Sequence, residues 1–126
     1  MSCGETEMSP GTGGPRASRR NLPGMTVKLV VLYTQPDDPD VFERHYAGTH
    51  MPMVCQIPGL QRTESGRFIA EADGGEATFY RTAALYFADR TALDQALATQ
   101  EAQAVAADFG KIAPPGSRML VENVDA

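Results

Sequence analysis

With 126 residues, 42% of them hydrophobic and 21% charged, the chain has the size and make-up of one globular domain, short enough that a buried pocket can need a second subunit. Its net charge of −5 supplies no basic field for phosphates, which argues against nucleic acid or an anionic membrane as partner. No apolar run approaches the roughly 20 residues that span a bilayer. Two cysteines, Cys3 and Cys55, are too few for a disulfide scaffold, so the expected setting is the cytoplasm and the expected partner a small molecule or a second copy.

Residues 1–24 are rich in Gly, Pro and Ser and nearly devoid of large apolar side chains, and are expected to form a disordered tail or an upstream-start extension. One domain is expected over residues 25–126. Val27 to Tyr33 is dense in β-branched and aliphatic residues and apolar on both faces after Lys28, which predicts a central strand. Asp38-Pro39 then offers an N-cap followed by proline at the first helical position. A helix is expected from about Pro39 to Ala47, with Val41, Phe42, His45 and Tyr46 on one face and Glu43, Arg44 and Ala47 on the other. Gly48 is placed to stop it, and Thr49 to Val54 is expected to run through a proline turn.

Leu60 to Ile69 and Thr78 to Phe87 predict two antiparallel strands joined across the polar, Gly-rich loop Glu71 to Glu76. Asp89 caps the following helix, whose apolar stripe changes face between Leu97 and Ala102, predicting a break near Thr99–Glu101. Pro114-Pro115-Gly116 ends the helical region, and Arg118 to Val121 predicts a last strand. The order β-α-β-β-α-β is that of an α+β, ferredoxin-like sandwich, an antiparallel sheet with helices on one face. Phe79, Ala83, Leu85 and Phe87 alternate with Tyr80, Thr82, Ala84 and Tyr86, so the uncovered face is expected to be apolar. A two-fold homodimer with its sheets facing one another would bury it.

The strand ending in Val-Leu-Tyr, Phe42-x-x-x-Tyr46-x-x-x-His50-x-Pro52, Ile57-Pro58-Gly59-Leu60, Tyr80-x-x-Ala83-x-Leu85-Tyr86-Phe87 and Gln103-x-Val105-x-Ala107-Asp108 together resemble the EthD family over about residues 25–124. The resemblance implies a dimeric α+β barrel and a pocket near Tyr46 and His50. The family takes its name from a protein associated with ethyl tert-butyl ether degradation, and its relatives include polyketide cyclases or dehydratases and a methylmuconolactone isomerase. Fold and family therefore leave the reaction open.

The two histidines lie in one segment, and His is the side chain whose charge changes nearest neutrality. His50 is the candidate general base or acid, aimed by the turn before Met51-Pro52; the competing reading is a histidine that holds that turn by bonding a backbone carbonyl. Tyr46, one helical turn earlier, is the candidate donor to an enolate oxygen or a group that orients the imidazole, or else a core residue as the i+4 partner of Phe42. Tyr33 and Tyr86 at strand ends, His45 and Arg81 are candidate substrate-binding residues. The competing readings are a buried, singly bonded His45 and exposed strand arginines at Arg67 and Arg81. Glu43 is expected to be solvated and Cys55 to be a small core residue. Neither a metal nor a cofactor is expected, because no zinc spacing and no phosphate-binding glycine motif following a strand is present. The reading is a homodimer that binds a small apolar or aromatic carbonyl compound and moves its protons without a cofactor. Two others stay open: a non-catalytic binding or accessory protein in a degradative pathway, and a cofactorless monooxygenase.

Overall fold

The computed structural model describes residues 26–125; the tail expected over residues 1–24 lies outside them. Strands β1 (Val27–Thr34), β2 (Arg62–Arg67), β3 (Phe79–Phe87) and β4 (Arg118–Asn123) form one antiparallel sheet in the order β2-β3-β1-β4. Helices α1 (Pro39–His45), α2 (Met51–Val54), α3 (Arg90–Leu97) and α4 (Gln100–Ile112) complete the α+β, ferredoxin-like arrangement. The expected barrel is not formed. The sheet is open, with β2 and β4 as its two edges and no pairing between them. Closing a sheet requires strand tilt and stagger that bring the edges into hydrogen-bonding register, and four strands in this order end at unpaired margins.

The caps explain where the helices start. Asp38 accepts from the Val41 N–H ahead of Pro39, Asp89 from Ala92, and Thr99 from Ala102. Thr99 thus starts a new helix where the apolar stripe changes face. Val27, Val31, Tyr33, Ala83, Leu85 and Phe87 point from the sheet to the helices, where Phe42, Val54, Leu93, Ala96, Ala102 and Val105 meet them in one core.

Two local features shape the site. Tyr33 pairs with Arg81 but Thr34 pairs with Phe79, so Tyr80 is an extra residue on β3, a bulge that re-aims its side chain. Its ring meets Phe42 edge-on at 5.6 Å. Secondly, Gly48 does not end the helix. The chain continues from α1 through a π turn, Tyr46–His50, directly into α2, and the Met51 N–H bonds the Tyr46 carbonyl five residues back. An α-helical Pro52 would press its ring on the carbonyl of Gly48, and the wider turn relieves that contact.

The uncovered face of the sheet is less apolar than its alternation suggests. Tyr86 is covered by the Arg62 guanidinium, 3.8 Å from its ring centre, and its hydroxyl donates to Glu64 at 2.9 Å. Lys28 pairs with Glu122 alongside. Long charged side chains laid over apolar surface therefore do part of what a partner sheet was expected to do.

Candidate active site

The site is built where the π turn faces α4. At about 100° per residue an unbroken α-helix would set His45 and His50 about 140° apart. The added residue of the π turn brings both rings to one carboxylate. His50 Nδ1 lies 2.7 Å from Asp108 Oδ2, and His45 Nε2 lies 2.9 Å and 3.0 Å from the two Asp108 oxygens. Asp108 is 6% exposed and His50 4% exposed. An ionised carboxylate only accepts, so His50 carries its proton on Nδ1 and presents a bare Nε2. That nitrogen faces the Tyr33 hydroxyl at 3.4 Å, a long contact.

Electrostatics sharpen this arrangement. Burial pushes the His50 pKa below its ordinary 6.5, outweighing the opposite pull of Asp108. Burial also works to raise Asp108, but the hydrogen bonds from His50 and His45 outweigh it and hold the carboxyl below its ordinary 3.8. The result is an ionised aspartate beside a neutral, buried imidazole at pH 7. Burial, with Tyr46 adding to it, pushes the Tyr33 phenol far up, so it stays a donor.

Aromatic rings wall the pair. Tyr46 stacks between Phe42 at 5.8 Å and His50 at 6.0 Å, and Tyr33 meets both Phe42 and Tyr46 edge-on. The Tyr46 hydroxyl bonds Ser65 Oγ at 2.7 Å. Arg81 is buried, with its guanidinium 4.3 Å from the Tyr46 ring centre. Glu43 holds Arg81 through two bonds and accepts the Tyr80 hydroxyl at 2.7 Å. Glu43 is therefore paired rather than solvated, and Arg81 is no exposed strand arginine.

Among the sequence-chosen residues, the fold gathers Tyr33, His45, Tyr46, His50 and Arg81. It sets Tyr86 on the opposite, uncovered face of the sheet, paired across from Lys28. Tyr33 is a core residue rather than a pocket rim. Val41 is 52% exposed, away from the core face it was expected to share. Cys55 is half-buried. Asp108 was quoted in the motif but given no role. The signal was there: it stands three residues after Val105 on the buried stripe of a helix, where a carboxylate needs a partner. His45, by contrast, is one-third exposed and lines an open cleft of about 740 Å3 with Phe42, Val41, Ile112 and Lys111. Among the described residues no cluster of His, Cys, Asp or Glu is arranged to hold a metal, because Asp108 occupies the point where both imidazoles converge.

The EthD domain model matches residues 35–115, which contain every residue of the Asp108 cluster except Tyr33. The chain belongs to the EthD family. It is 37% identical over 93 residues to an uncharacterized 11.0 kDa protein in the thcB-thcC intergenic region of Rhodococcus erythropolis, covering 74% of this chain and 89% of that protein. The crystal structure of an EthD-family protein from Bacillus halodurans is 34% identical, covers 79% of this chain and 99% of its own, and superposes with a TM-score of 0.75. SnoaB, a cofactor-independent oxygenase from Streptomyces nogalater, shares the fold at 20% identity and a TM-score of 0.58, over 81% of this chain and 95% of that one. Among the described residues no helix is long and apolar enough to cross a membrane.

Proposed function

We propose that this EthD protein binds a small apolar or aromatic carbonyl compound and moves its protons without a cofactor, as an isomerase, cyclase or dehydratase does. The observation that carries the reading is His50: its Nδ1 proton is fixed on Asp108, so a neutral, buried Nε2 is left as a base among aromatic rings. In this reading His50 Nε2 takes a proton from carbon beside the carbonyl, and the C–H electrons pass to the oxygen as an enolate. The imidazolium formed is balanced by the Asp108 carboxylate and returns its proton elsewhere on the substrate. Tyr46 donates its hydroxyl to the enolate oxygen, exchanging its bond to Ser65. The long Tyr33 contact is weak enough for a substrate to take its place at His50. A cofactor-independent relative in fold, SnoaB, is consistent with chemistry done by side chains alone.

The chain is further proposed to work as a homodimer joined through the uncovered face of the sheet, where half-buried Val30 and Leu32 and exposed Leu120 lie among the charged pairs. Light scattering across micromolar concentrations tests this, and a monomer throughout ends it.

The function is tested by mass spectrometry of ligand extracted from purified protein, followed by solvent-deuterium incorporation into the compound found and into simple aryl ketones. Wild type is expected to exchange faster than buffer, and His50→Gln to lose at least about 100-fold of that rate. A ligand bound tightly by both proteins and never exchanged would replace catalysis with a binding role. Oxygen uptake on addition of a phenolic ligand would replace it with oxygenation.

A further inference from the structure

His45 has no part in the proton transfer described above, yet it holds the same carboxylate. Its Nε2 donates to both Asp108 oxygens and so shares Oδ2 with His50, and its Nδ1 makes no hydrogen bond among the described residues. It is also the member of the cluster that reaches the cleft. One carboxylate thus stands between a buried imidazole and one in contact with solvent.

We propose that His45 is a positioning residue for His50: by binding Asp108 and sharing its charge, it sets how strongly that carboxylate supports the buried imidazole. A neutral His45 leaves the full negative charge of Asp108 to balance a proton on His50. A protonated His45 cancels that charge and opposes a second positive charge on the same oxygens, so His50 becomes a weaker base. The cleft and the buried base are thereby linked through Asp108 without any movement of the backbone.

The other charged groups around the cluster do not substitute for His45. Tyr33 from β1 is neutral, and Arg81 from β3 is already neutralised by Glu43 and covers Tyr46 rather than Asp108. Asp37, Asp38 and Lys111 line the cleft beside His45, and none of them bonds Asp108 among the described residues. The coupling acts in the same direction as the repulsion that His45 already exerts on His50.

The importance of this coupling for catalysis rests on the proposed role of His50, but its existence does not. The chain has two histidines, so nitrogen NMR of untagged protein follows both imidazoles through a pH titration. His45→Gln keeps an N–H donor but cannot take a charge, and His45→Lys places a fixed charge there. The His50 midpoint is expected to rise by about half a pH unit or more in His45→Gln and to fall in His45→Lys. Midpoints that coincide with wild type in both variants, or that move in the same direction in both, overturn the proposal. If the midpoints move in opposite directions while no compound is exchanged by wild type, the coupling stands and the proposed function fails. In an active protein the pH profile of exchange should move with the His50 midpoint, whereas a purely structural His45 would change its height alone.

Discussion

Asp108 Oδ2 lies 2.7 Å from His50 Nδ1, and the two residues come from different elements 58 positions apart, the middle of α4 and the end of the π turn. This single bond decides which ring nitrogen of His50 is basic. Asp108→Asn removes the charge and offers an amide that either accepts from His50 or donates to it, so the tautomer is no longer fixed. The proposed exchange activity should fall by about 10²–10⁴-fold, and stability by about 1–3 kcal/mol because hydrogen bonds to a buried charge are lost. Nitrogen NMR reads the tautomer directly. A His50 that keeps its Nδ1 proton and full activity in Asp108→Asn would remove Asp108 from the account.

How much of this was legible in the sequence differs between fold and site. The strand order follows from Val27 to Tyr33 and Thr78 to Phe87, and the helix break from the stripe shift after Leu97, because those signals are local. The caps at Asp38 and Asp89 are local as well. The site depends on three things that are not. Gly48 and Pro52 read as terminators, since in isolation they break α-helices, and a π turn satisfies both at once. The bulge at Tyr80 depends on the register of β1 against β3. Asp108 acquires its role only when α4 packs on the π turn. The barrel was inherited from the family resemblance, and the open edges at β2 and β4 overturn it.

Stability should depend on pH in two windows with the same sign. Because burial lowers the His50 pKa in the folded state, the unfolded chain binds the proton more readily as pH falls through 6.5. The stabilisation is therefore complete above about 6.5 and is lost as pH falls through the folded value, with a limiting slope near 1.4 kcal/mol per pH unit. Asp108 behaves alike lower down: its contribution is complete above about 3.8 and is lost as pH falls through its depressed value. Urea midpoints between pH 5 and 7.5 should slope upward in wild type and flatten in His50→Gln. A wild-type curve that is flat from pH 5 to 7.5 would contradict the burial of a neutral His50.

Arg81 is held near the start of β3 by Glu43 and lies on the face of Tyr46. Arg81→Ala strands a carboxylate that is only partly open to solvent and removes the cover from a stacked ring. The expected loss is about 2–4 kcal/mol, less than for a fully buried pair because Glu43 keeps some hydration. Arg81→Ala combined with Glu43→Gln should recover part of it, since the unpaired charge is gone. A double variant no more stable than Arg81→Ala would mean that the stacking on Tyr46, rather than the ion pair, carries the effect. Thermal or urea unfolding of Arg81→Ala, Glu43→Gln and the double variant settles the division.

Gly48 gives the sharpest separation of the two ways of reading the π turn. If it ended a helix in the left-handed conformation, alanine there would be strained. In the structure its backbone is not in that region, and a Cβ added to it meets no atom within 4 Å. Gly48→Ala should therefore leave the turn intact and stabilise the protein by about 0.5–1 kcal/mol, because alanine gives up less chain entropy than glycine in a helical segment. Gly59, at φ +85, is the internal contrast: alanine there should destabilise by about 1–2 kcal/mol despite equally open surroundings. Deleting Gly48 is a different change: it leaves His45 and His50 four positions apart, about 40° around an α-helix, so the π turn is exchanged for an α turn without parting the two rings. The helical segment should then persist by circular dichroism and His50 should keep its Asp108-bound proton by NMR. A deletion variant in which His50 loses that proton would show that the width of the π turn, and not the shared helical face, sets the geometry of the site.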